Sequence, residues 1–175
     1  MPTCEDIVLL AAYNASMNRK LYAAAAKLPE QEIAADRKAF FGSLLGTLNH
    51  IISGDTIWLR RFMAHPAGFR ALEAMHEMPE ASGLTHQFGA DLLSLLAIRM
   101  RLDGIITALA AEVSTADLAQ SIDYRNSRGA YRKHFGSLLL HFFNHQTHHR
   151  GQASTLLSQA GVDIGVTDLL ELIND

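Results

Sequence analysis

The sequence predicts an all-α protein, an antiparallel four-helix bundle with one long crossover. Three observations predict it. Four long segments carry apolar residues at helical spacing, residues that start or stop helices separate them, and one connection is too long for a turn.

The first helix opens at Thr3, where TCED offers a hydroxyl cap with an acidic residue three positions on. It runs through IVLLAAYNASMNRKLYAAAAKL to Pro29, which cannot continue it. The second covers about Phe41 to Ala64, with Leu44, Leu45, Leu48, Ile51 and Ile52 on one stripe, and Pro66 ends it. The third, about His86 to Val113, carries Leu92, Leu95, Leu96, Leu102, Ile105, Ile106 and Leu109. The fourth runs from about Ala130 to Gln159 and stops at Gly161. HPAGFRALEAMHEMPEASGLT is the crossover between the second and third, with a short helix expected over Phe69 to Met75. QSIDYRNSRGAYRK reads as an irregular loop or a small hairpin. The tail, Thr167 to Asn174, has room for a turn or two packed on the outside.

The 175 residues suit one domain spanning 1–175. Apolar residues make up 49% and charged ones 19%, a globular balance, and the net charge of −3 is not that of a non-specific nucleic-acid binder. The Arg60-Arg61 pair and the Arg125, Arg128, Arg132, Lys133 group read as solvated faces. Cys4 is the single cysteine, so no disulfide forms within the chain. No apolar run is long enough to span a membrane, and no signal peptide is expected. Together these point to a cytoplasmic protein with neither nucleic acid nor membrane as partner.

The unusual stretch is FNHQTHHRGQ, Phe143 to Gln152. At about 100° per residue, with His145 as zero, His141 lies at about −40°, His148 at −60°, His149 at +40° and Gln152 at −20°. Leu138 and Leu156 fall at about +20°, so these polar groups interrupt an apolar stripe. Histidines at i and i+4 stand one above the other and can share an ion; His145/His149 and His141/His145 both have that spacing. Two ligands rarely suffice. The best third candidate is His50 in GTLNHIISGD, flanked one turn away by Gly46 and Gly54, small residues that leave space beside the ring. A lone histidine in an apolar helix is more often a hydrogen-bonded core residue, so spacing alone leaves the metal reading and the structural one side by side.

TLNHIISGDTIWLRR followed by NHQTHHRGQASTLLSQAG resembles the DinB-like family of bacterial four-helix proteins. The likeness extends over nearly the whole chain: Tyr13-Asn14, then His50, Asp55 and Trp58, the N-x-x-G of Asn126 to Gly129, and the terminal NHxxHHRGQ. It implies one divalent metal ion per chain, held by His50, His145 and His149, in an intracellular homodimer. The wider superfamily contains thiol-dependent S-transferases and a mycothiol-dependent isomerase. The implied function is therefore a metal-dependent hydrolase or low-molecular-weight-thiol S-transferase acting on a small-molecule or thiol substrate. The alternative is a non-catalytic metal-binding dimeric scaffold or sensor. Imidazole-only sets suit zinc, nickel or iron.

The other polar groups fall around this set. Gln152 reads as a group that orients water or a ligand's free N–H, or makes an interhelical hydrogen bond. His148 reads as a hydrogen-bond partner or an edge residue, and His141 as a core or pocket-wall residue. Trp58 reads as core packing, Arg150 as a salt-bridge former away from the histidine face, and Asp55 as a helix-surface residue. Gln146 stands where a zincin has its glutamate, and Glu73-Ala-Met-His76 is the one Glu-x-x-His copy, so neither a zincin nor a carboxylate-bridged di-iron bundle is expected.

Overall fold

Thr3 starts the first helix as its sequence predicts. Its hydroxyl accepts from the Asp6 N–H at 3.1 Å while the Asp6 carboxylate accepts from the Thr3 N–H at 2.8 Å, a reciprocal cap. The computed structural model describes residues 1–173. Helix α1 covers Cys4–Ala25, and a short α2, Glu30–Ala34, follows Pro29. Helix α3, Leu44–Phe62, opens at Ser43, whose hydroxyl accepts from the Gly46 N–H at 3.0 Å. The crossover carries a 3-10 segment, Arg70–Glu77, where the short helix was expected. Helix α4, Leu92–Glu112, and a one-turn α5, Thr115–Ala119, lead into a hairpin of β1, Ser121–Asn126, and β2, Gly129–His134. Helix α6 is Phe135–Gln159, and a last 3-10 turn covers Leu169–Leu172; Asn174 of the expected tail lies outside the described residues.

Helix α3 begins at Leu44 rather than Phe41, and two further helix starts are also later than the apolar periodicity suggests. Helix α4 begins at Leu92 rather than His86, capped by Asp91, whose carboxylate accepts from the Ser94 N–H at 2.8 Å. The residues before it are held by side chains of α3. The Asn49 amide oxygen accepts from the Phe88 and Gly89 N–H groups at 2.6 and 3.2 Å, and its amide nitrogen donates to the Gly89 carbonyl at 3.0 Å. The Ser53 hydroxyl donates to the His86 carbonyl at 3.1 Å. Helix α6 begins at Phe135 rather than Ala130 because Gly129–His134 pairs antiparallel with Ser121–Asn126. Among the described residues, the mostly helical chain thus carries one small two-stranded sheet.

The four long helices pack in a cycle, α1 on α4, α4 on α3, α3 on α6 and α6 on α1. Their shared interior is Leu- and Phe-rich, with Leu21, Leu48, Leu59, Phe62, Leu102, Phe135 and Phe142 almost wholly buried. Trp58 is buried against Phe62, Tyr124 and His141, in keeping with its expected packing role. Among the described residues, no helix is long and apolar enough to cross a membrane.

A polar layer crosses this core. Asp55 is fully buried rather than on the helix surface, because it faces Arg99 of α4, itself 1% exposed, and the two form an ion pair. Arg99 also pairs with Asp103 at 3.1 Å, and Asp103 accepts from Asn14 and Asn18 at 3.2 and 2.9 Å. Burial pushes the Asp55 carboxyl up to about 6, against the pull of the Arg99 charge and hydrogen bond. Among the described residues Arg150 makes no salt bridge. It is buried and donates to Asn14, to Gln146 at 3.2 Å and to Thr147 at 3.2 Å.

Candidate metal centre

His50 comes from the middle of α3, and His145 and His149 from successive turns of α6, so packing of these two helices brings the three rings together. The His50 Nε2 lies 3.0 Å from the His149 Nε2 and 3.3 Å from the His145 Nε2. One nitrogen from each ring falls within a 4.8 Å cluster, and no other His, Cys, Asp or Glu of the described residues joins it. Tetrahedral ligands about 2.0–2.1 Å from zinc would stand roughly 3.3 Å apart, so the cluster has the dimensions of a three-histidine cation site.

The hydrogen bonds behind the rings sharpen this. The His50 Nδ1 is 2.8 Å from the Leu84 carbonyl oxygen, which can only accept, so Nδ1 carries the proton and Nε2 a bare lone pair. The His149 Nδ1 donates to the Gln152 amide oxygen at 2.8 Å, with the same result. Two lone pairs therefore face each other at 3.0 Å, where they repel unless a cation or proton stands between them. A proton is disfavoured: burial, aided by the neighbouring imidazoles, lowers the pKa of His50 and His149 and holds that of His145 at about 3. Three neutral imidazoles with converging nitrogens are a donor set for a metal ion.

The glycines flanking His50 serve the rings themselves. A Cβ on Gly54 would lie 2.6 Å from the His145 Cε1, and one on Gly46 would lie 2.1 Å from the Phe41 carbonyl oxygen. The space expected beside His50 is therefore filled, by the His145 ring on one side and the Phe41 backbone on the other. The Phe41 ring stacks on His50, with centroids 3.9 Å apart and planes at 18°. Sequence reasoning missed Phe41 and the Leu84 carbonyl. The available signal was Asn49 and Ser53 beside His50, polar residues at buried positions of α3, since these hold the crossover that supplies Leu84.

Gln152 joins two histidines: its amide nitrogen lies 3.3 Å from the His148 Nε2 while its oxygen holds His149. His148 is an exposed hydrogen-bond partner at the edge. His141, expected as a core or pocket-wall residue, is exposed, with its ring 5.0 Å from Trp58 and 6.3 Å from His145. His145 itself is half-buried, so the cluster meets solvent there. On the Gln152 side a cavity of about 300 Å³ is lined by Arg37, Thr47, Gln152, Thr155 and Gln159.

The protein DinB of Bacillus subtilis (strain 168) is 26% identical over 159 residues, covering 89% of this chain and 87% of that protein. No solved structure matches. The model of the DinB family matches residues 1–174, and the chain belongs to the DinB family.

Proposed function

We propose that this protein is a divalent-metal-dependent enzyme acting on a small molecule, as a hydrolase or as an S-transferase of a low-molecular-weight thiol. His50, His145 and His149 hold the ion. The observation that carries this reading is the pair of Nε2 lone pairs, His50 and His149, opposed at 3.0 Å with both Nδ1 protons committed elsewhere. A divalent ion held by these three histidines would supply Lewis-acid activation of a water or a thiolate. The chain's own groups set the stage. Leu84 and Gln152 fix which nitrogen of His50 and His149 is offered, and Phe41 covers one face of His50 from water. The cavity beside Gln152 has the size for a small substrate.

One observation favours the competing reading, a non-catalytic metal-binding scaffold or sensor: no carboxylate of the described residues joins the cluster to act as a base. The two separate experimentally. Protein purified without an affinity tag contains one ion per chain, of zinc, nickel or iron, by elemental analysis. In the enzyme reading it conjugates a model electrophile with a cellular thiol, or hydrolyses a small ester or amide, and His149→Ala abolishes both. Full metal occupancy with no turnover across a thiol and ester panel leaves the scaffold or sensor. We extend the proposal to a cytoplasmic homodimer, and a sedimentation mass of one chain overturns that part.

A further inference from the structure

Arg150 lies about 140° around α6 from His145, on the face away from the metal centre. It is 7% exposed, and among the described residues no carboxylate pairs with it. Both Nη1 protons go to amide oxygens, of Asn14 and Gln146, and one Nη2 proton goes to the Thr147 hydroxyl. The Nε proton and the second Nη2 proton have no partner among the described residues. Asp55 and Asp103 act on this charge at longer range, without a direct hydrogen bond, and a guanidinium edge matches the planar oxygens of a carboxylate or phosphate.

Beside it is a cavity of about 140 Å³, lined by Tyr13, Thr147, Arg150, Gly151, Ile164 and Thr167. A Cβ built on Gly151 would meet nothing within 4 Å, so this glycine opens onto free space although it costs helix stability. The C-terminal segment roofs the cavity. The Tyr13 hydroxyl donates to the Thr167 carbonyl at 2.6 Å and the Lys20 ammonium to the Val166 carbonyl at 2.8 Å. The Thr147 hydroxyl, accepting from Arg150, keeps its own proton to donate.

We propose that this cavity is a binding site for a small oxyanion, a carboxylate or phosphate, held by the uncommitted N–H groups of Arg150 with the Thr147 hydroxyl as third donor. The ligand supplies a directly hydrogen-bonded negative charge, which Asp55 and Asp103 at longer range do not, on the side of α6 away from His145. Nothing in this site depends on a bound metal.

The test is calorimetric titration of the metal-stripped full-length chain with sodium phosphate and, separately, sodium acetate, with ionic strength held constant by chloride. At least one anion binds saturably at one site per chain. Gly151→Leu fills the cavity without touching the Arg150 contacts; it weakens binding by about tenfold or more while the helical circular dichroism is unchanged. Thr147→Val weakens binding severalfold. Preference for phosphate assigns a phosphoryl ligand, and preference for acetate a carboxylate. No saturable binding of either anion, or undiminished affinity in Gly151→Leu, overturns the proposal.

Discussion

The His145 ring occupies the volume that any side chain at position 54 would need: a Cβ there would stand 2.6 Å from its Cε1. Alanine in place of a mid-helix glycine ordinarily adds up to about 1 kcal/mol of helix stability. In Gly54→Ala that gain is offset by displacement of the ring, so the fold persists while metal affinity falls about tenfold or more. Metal content and a thermal melt, measured together, check it. An unaltered ion content would show that position 54 does not set the ring's place.

Gln152→Leu removes the acceptor that fixes the His149 proton on Nδ1. Loss of such an orienting partner typically lowers metal affinity about 10–100-fold. Chelator competition with the purified variant reads the change directly, with helical content unchanged.

The cluster also predicts a pH dependence. The His145 pKa in the folded protein is about 3, below its ordinary value, because burial and the neighbouring imidazoles oppose its charge. Between that value and about 6.5 the unfolded chain binds a proton that the folded chain refuses, so this contribution is present above about pH 6.5 and lost as pH falls. Asp55 acts in the opposite sense: its raised pKa makes its contribution fall as pH rises from about 4 to about 6. The difference between wild type and His145→Gln isolates the histidine. Urea melts of metal-free protein from pH 7.5 to pH 4 should show wild type losing stability relative to the variant on acidification, and a constant difference would contradict the shift.

Arg99→Met leaves Asp55 buried with no ion partner. Removing one member of a buried pair costs about 3–5 kcal/mol. Arg99→Met combined with Asp55→Leu removes the stranded charge and recovers part of the loss. Chemical denaturation of the two variants shows the coupling; equal stability of both would dissolve the pair as an energetic unit.

The long helices and the His145/His149 pair could be read from the sequence because they rest on local periodicity. His145 and His149 share a face by spacing alone, and residue-by-residue family resemblance supplies His50. What escaped the sequence reading was non-local. Phe88 stands one turn before Leu92 and extends the α4 stripe, yet Asn49 and Ser53 of α3 take backbone groups of His86, Phe88 and Gly89 and hold this stretch out of the helix. Asp55 looked peripheral when placed relative to His50 alone. Its true setting follows from Arg99, which sits on the same stripe as Leu95, Leu102 and Ile106, a cation in core register that requires a buried anion across the helix interface. Gly46 and Gly54 suggested open space beside His50, whereas the Phe41 backbone and the His145 ring fill it from distant parts of the chain.

The Leu84 carbonyl has one further consequence. It is the point at which the crossover and the His50 ring grip each other. An ion drawing electron density from that ring makes its Nδ1–H a stronger donor, so ion loading and anchorage of the crossover are thermodynamically linked. A protease working at limiting concentration would cut residues 79–90 more slowly once the centre is filled, turning chain cleavage into a readout of occupancy.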